Sequence, residues 1–397
     1  MRRADKNMVF LSSSAKFFVF YLILFPVMFL YGGQFKDVVG GGGEGLINFF
    51  SLVVALSVLK LGFPRNIGVS SFFVLLYFFF VCFLSLIRVV FEGVWSTPSY
   101  ILYFSFFVLN IFAFFSGVLL IDKRVISRPS ISVVLFFILF SIFVFFLFNN
   151  FLGFYVNKNW AALGGFLIIL LRVIINSKIY LIDKLIFTVY AVVSQFVFDS
   201  QGVALASGIV SLGSIFSFWT WRFLLPIVSI VSYTSVLVLI SFPFFVGWFL
   251  GRPMGVAFSA WWQISFGERL GSGRVEYWIA LVDMIHTKEF FFGYGLDATI
   301  DAITSGKLNN ISTHNLFTEV FLRTGFFGLI LLVLAILSAL HGLLKSNNIS
   351  MLLVLIAILI LGSVYSLGLV THWPGTVIFW LLFGALVRLG RGKNLTI

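Results

Sequence analysis

The stretch Gly251–Arg323 opens GRPMGVAFSAWWQISFGERLGSGRVEYWIALVDMIHTKEF and closes STHNLFTEVFLR. Elsewhere apolar runs are broken only by short turns, whereas here charge, His, Trp and Gly are mixed throughout. A long polar segment between apolar runs is where chemistry collects, because loops carry function and ionisable groups are costly in lipid.

The surrounding sequence sets the fold class. Of 397 residues, 61% are hydrophobic and 10% charged, and the mean hydropathy is +1.12. A soluble chain of this length would divide into about two or three domains. This composition instead reads as all-α, a polytopic membrane protein forming one integral domain over residues 1–397. Runs of about twenty apolar residues place twelve transmembrane helices. They lie at 16–32, 46–61, 68–87, 100–121, 131–149, 160–176, 183–198, 202–219, 222–249, 315–341, 349–369 and 375–388. The single Cys82 lies inside an apolar run, so the chain has no disulfide framework. MRRADK followed by an apolar run resembles a signal peptide, but no small-residue cleavage site follows, so the first span is expected to be retained.

Lys and Arg then orient the spans. With the N-terminus inside, seventeen of the 26 basic residues fall in inner connections, and six of the other nine lie between Arg252 and Arg323. The remaining outer connections hold only Lys36, Arg88 and Lys158. Both termini are therefore expected in the cytoplasm of a bacterial inner membrane, with residues 250–314 forming one long periplasmic loop. The formal charge of +12 is accounted for by topology, and nucleic-acid binding is not needed to explain it.

Within the first outer connection, Asp37 and Glu44 flank a glycine run, Gly40 to Gly43, and read as a solvated linker. Asp199-Ser200-Gln201-Gly202 reads as a helix–helix turn, with Ser200 capping and Gln201 placed to reach a polar ligand. In the long loop, Trp261 and Trp262 suit a segment at the membrane interface. The GERLGSG turn brings Arg269 ahead of an amphipathic helix from Arg274 to about Glu289. Its apolar stripe is Val275, Trp278, Ile279, Val282 and Ile285, and Arg274 and Trp278 are neighbours at i and i+4. Gly293-Tyr294-Gly295 breaks the pattern. Ser312 or Thr313 is expected to cap the next span, whose first turns carry His314, Asn315, Glu319 and Arg323. Asn315, Glu319 and Arg323 share one helix face. Arg offers a planar, permanently charged fork for a diphosphate, and His can take a proton near neutral pH. Glu319 and Arg323 can equally be a simple i,i+4 pair.

The order Arg274-x3-Trp278, then Gly293-x-Gly295, then His314-Asn315-x3-Glu319-x5-Gly325-x2-Gly328 resembles the O-antigen ligase and Wzy O-antigen polymerase superfamily, over roughly residues 185 to 340. The resemblance implies a GT-C-type membrane glycosyltransferase acting at the periplasmic face. Its donor would be an undecaprenyl-diphosphate-linked oligosaccharide and its acceptor a glycan hydroxyl, with no cofactor, metal or nucleotide sugar. Membrane lipid and a chain-length regulator protein are the further partners it implies. Arg274 would hold the donor diphosphate, and His314 would serve the acceptor hydroxyl, with Glu319 as the second catalytic candidate. Arg269, Arg323, Asn315, Gln201, Trp278 and Tyr294 complete the candidate substrate-binding set. Where many members carry Ser-Arg or Thr-Arg before the eighth span, this chain has Ser200-Gln201. Arg269 or Arg323 would then supply the second charge, and the departure favours a polymerase over a ligase attaching glycan to lipid A-core. Lipid diphosphate is already a good leaving group, so the chemistry needs charge stabilisation and a base for the acceptor. Single-step displacement would invert the anomeric centre. The competing class is a transporter or flippase, which usually shows related halves and a midplane site.

Overall fold

The computed structural model describes residues 68–92, 98–122, 158–216, 221–266, 274–296, 298, 315–365 and 374–391. The expected spans at 16–32, 46–61 and 131–149 lie outside these residues, as do Arg269 and His314. Among the described residues the chain is all-helical, with no strand. The eleven α-helices are α1 (Val69–Glu92), α2 (Pro98–Asp122), α3 (Lys158–Asn176), α4 (Leu181–Phe196), α5 (Gln201–Phe216), α6 (Trp221–Leu250), α7 (Pro253–Phe266), α8 (Arg274–Asp283), α9 (Leu316–Lys345), α10 (Ile349–Val364) and α11 (Pro374–Leu389). Nine of these occupy expected spans; α7 and α8 belong to the long polar stretch. Helices α1, α6 and α9 contain segments long and apolar enough to cross a membrane.

Two kinds of surface explain the composition. A buried aromatic core ties α1, α2 and α11 together: Trp380 stacks on Tyr77 at 5.9 Å between centroids and lies 4.8 Å from Phe78, which meets Phe107 edge-on. The outward faces are equally apolar, with Phe79 and Ile230 each about two-thirds exposed. Apolar faces of that extent need lipid to cover them. Among the described residues, Phe thus serves both the core and the lipid-facing surface.

Polar residues are sorted to the two ends of the bundle. At one end Arg172 of α3 meets Asp183 of α4, Nε to Oδ1 at 2.7 Å, with both side chains buried. The other Asp183 oxygen accepts from the Tyr180 backbone N–H at 2.9 Å, so one carboxylate both caps α4 and compensates a buried cation. Lys184 closes the C-terminus of α5 by donating to the Ser214 carbonyl at 2.7 Å, and Arg391 donates to Ser71 at the start of α1. Asp199 and Asn347 make the tight interhelical turns in left-handed conformation, at φ 51° and 52°, which Asn and Asp tolerate best. The end opposite Arg172 collects Arg88, Ser200, Arg274, Asn315 and Tyr365.

Three local expectations are corrected. The amphipathic helix stops at Asp283 rather than near Glu289, and two 3₁₀ turns follow, Met284–His286 and Lys288–Phe290. Thr287 ends the first of them, its hydroxyl donating to the Met284 carbonyl at 2.8 Å. The buried stripe of α8 is Val275, Trp278 and Leu281, continued by Met284, while Ile285 is 44% exposed. The cap of α9 is Asn315, not Ser312 or Thr313: its Oδ1 accepts from the Phe317 and Thr318 backbone N–H groups at 2.9 and 3.2 Å.

Candidate functional site

Helix α9 opens the site. Its cap Asn315 also donates through Nδ2 to the Ser363 carbonyl of α10 at 3.0 Å, which fixes where the helix begins. One turn in, Glu319 and Arg323 form an ion pair, Nε to Oε1 at 2.6 Å, both side chains with 0% exposure. An i,i+4 pair on a water-exposed surface would contribute little. In a fully desolvated pair, breaking the contact costs far more.

The loop following α8 is laid across this helix. Tyr294 N–H donates to the Leu322 carbonyl at 2.8 Å and Gly295 N–H to the Arg323 carbonyl at 3.0 Å. The crossing requires glycine on both sides. Gly325 sits at φ 67°, ψ −163°, inside what is otherwise continuous helix. A Cβ there would lie 2.4 Å from the Phe291 carbonyl carbon and 2.5 Å from the Gly293 nitrogen. Gly293, at φ 71°, comes equally close to the Arg323 backbone. Arg88 of α1 approaches the turn from the other side, donating to the Tyr294 carbonyl and to the Gly293 carbonyl.

Helix α8 lies on α6 and presents Arg274 and Trp278. Arg274 is half-buried. Burial holds its guanidinium below the usual arginine range, and Tyr365 opposes that shift electrostatically. Arg274 stands in the first turn of α8, the end at which the helix dipole disfavours a cation and favours an anion. Trp278 is 8% exposed and meets Phe242 edge-on at 6.1 Å. Its indole N–H has no hydrogen-bond partner among the described residues, and neither has Glu276 Oε2. Orphan buried polar atoms of this kind call for a partner.

Tyr365 is tied to the Asp199–Gly202 turn and couples electrostatically to Arg274 of α8. It follows α10, and its hydroxyl bonds to Ser200 Oγ at 2.6 Å. Ser200 is thus engaged in a long-range contact, and the neighbouring Gln201 is exposed. Of the residues chosen from sequence, Asn315, Glu319 and Arg323 share α9, Tyr294 crosses the same helix, and Arg274 and Trp278 share α8. Arg269 and His314 lie outside the described residues. Tyr365 and Arg88 were missed. By sequence Tyr365 falls inside a longer apolar span, and Arg88 is one charge in a short connection.

An all-helical membrane protein with buried and half-buried arginines and orphan polar atoms gathered beside a long polar loop is the class that fold and site define. Residues 186–333, somewhat over a third of the chain, match the family model described as O-Antigen ligase. That segment runs from α4 into α9 and takes in the motif from Arg274 to Gly328, so the resemblance to the O-antigen ligase and Wzy polymerase superfamily is borne out. Members of this family are glycosyl-transferring membrane enzymes. No curated protein matches the chain.

Proposed function

We propose that this chain transfers a glycan from undecaprenyl diphosphate to an acceptor sugar hydroxyl at the periplasmic face of the bacterial inner membrane, as an O-antigen or related polysaccharide polymerase. The observation that carries the reading is Arg274. Among the described residues this half-buried cation at the positive end of a helix has no carboxylate partner, and an anionic ligand supplies one. Its fork would take two diphosphate oxygens and stabilise the charge that develops as the leaving group departs. Tyr365, electrostatically coupled to Arg274 and anchored by Ser200, stands near the place where the family arginine is replaced by Gln201. Trp278 offers its indole N–H to the same ligand.

His314 takes the acceptor proton in this mechanism. It directly precedes the cap Asn315, so helix entry does not require it to be an imidazole. Glu319 acts through Arg323: the pair holds the first turns of α9 in place. Displacement at the anomeric carbon in one step inverts its configuration, and neither metal nor nucleotide enters. The gathering of these groups at one end of the bundle favours an enzyme over a transporter with a midplane site.

The test is a gel of surface glycan from a deletion strain. Lipid A-core bearing a single repeat supports the polymerase. Bare core with accumulated lipid-linked polymer points to a ligase instead, and unaltered glycan overturns both.

A further inference from the structure

We infer that Arg88 is a positioning residue of the transfer site, its guanidinium reaching from α1 to fix the Gly293–Tyr294–Gly295 turn against α9. The inference rests on the glycosyltransferase reading, which gives that turn a task. The turn is held on two sides. On one, its Tyr294 and Gly295 amides donate to the Leu322 and Arg323 carbonyls, at 2.8 and 3.0 Å. On the other, the two terminal nitrogens of Arg88 donate to successive carbonyls, Nη1 to Tyr294 and Nη2 to Gly293, the latter at 2.5 Å. A planar fork suits two neighbouring acceptors. Gly295, at φ 105°, leaves it room: a Cβ there would lie 2.7 Å from Arg88 Nη1.

The turn sits between the two halves of the site. It follows α8, which carries Arg274 and Trp278, and Tyr294 packs against the cluster that joins Leu281 of α8 to Phe321 and Leu322 of α9. Those residues adjoin the Glu319–Arg323 pair. A cation that serves only membrane orientation has no need of a specific partner more than two hundred residues away; this one has two.

The experiment uses the full chain in lipid nanodiscs, with Arg88→Gln and Arg88→Lys. Hydrogen exchange across 290–296, the unfolding midpoint and steady-state transfer from an undecaprenyl-diphosphate-linked oligosaccharide are measured together. In Arg88→Gln the Tyr294 and Gly295 amides exchange at least about tenfold faster. Its kcat falls by about tenfold or more while the donor KM and the midpoint stay near wild type. Arg88→Lys falls between, because one ammonium serves two carbonyls less well than a fork does. Unchanged exchange overturns the inference, as does faster exchange with normal kcat, or a loss of activity that merely follows a lowered midpoint. Should the wild-type protein transfer nothing, the glycosyltransferase reading fails, and the exchange rates still decide for or against the clasp.

Discussion

Glu319 and Arg323 show how little a spacing says before burial is known. At i and i+4 they read as a pair, yet only the structure shows both side chains fully enclosed. Glu319→Ala is expected to destabilise the protein by about 3–5 kcal/mol, by removing a fully buried, hydrogen-bonded partner of Arg323. Replacing both by Leu should recover most of that loss, as read from unfolding midpoints in detergent. A double variant no more stable than Glu319→Ala would mean that the pair is not the structural unit described. His314 calls for a different experiment. Asn315 caps α9, so His314→Gln should leave fold and donor binding intact while turnover drops by about 10²–10⁴. Turnover near the normal rate would move the base elsewhere. Asn315, Glu319 and Arg323 were legible on one helix face. The cap was not, because Ser312, Thr313 and Asn315 are all competent caps, and only the tie to Ser363 distinguishes Asn315. The Ser200–Tyr365 bond was illegible for another reason: it joins residues far apart in sequence, one of them inside an apolar run.

At the scale of elements, the site depends on one crossing of backbone over helix. Gly325 adopts a conformation open essentially to glycine, and the Phe291–Gly293 chain lies directly against it. Gly325→Ala should therefore cost at least about 1–3 kcal/mol for the backbone alone, with further loss from the displaced turn. Gly164→Ala, inside α3 with no tertiary neighbour among the described residues within 4 Å of the added carbon, should instead be neutral or stabilise by about 0.5–1 kcal/mol. Thermal unfolding of the two variants side by side provides the check, and equal behaviour would remove the crossing from the account. The Gly-x-Gly pattern announced a turn but not its partner, because nothing local shows that it docks on Gly325. The end of α8 was missed because apolar residues continue through Met284 and Ile285, so the period gives no stop signal. The α-helix tightens into a 3₁₀ turn at Met284, and Thr287 ends that turn.

For the whole molecule, apolar runs were a reliable guide: nine expected spans coincide with helices, since composition and length alone dictate helices in lipid. Among the described basic residues, Arg172, Lys184 and Arg391 lie at the end opposite Arg88 and Arg274. The expected orientation can be tested with single cysteines in a Cys82→Ser background. Ser272→Cys and Ser305→Cys should react with an impermeant thiol reagent added to intact cells, and Ser346→Cys should not; the reverse pattern would invert the topology. The central claim, that Arg274 serves a lipid-diphosphate donor, has a more direct measurement. Purified protein is supplied with an undecaprenyl-diphosphate-linked oligosaccharide and acceptor, and released undecaprenyl diphosphate is measured for wild type and Arg274→Lys at matched protein levels. The account predicts release by the wild type and a loss of about 10²-fold or more in the Lys variant, because an ammonium cannot reproduce the bidentate fork. Release by Arg274→Lys at the wild-type rate would contradict it.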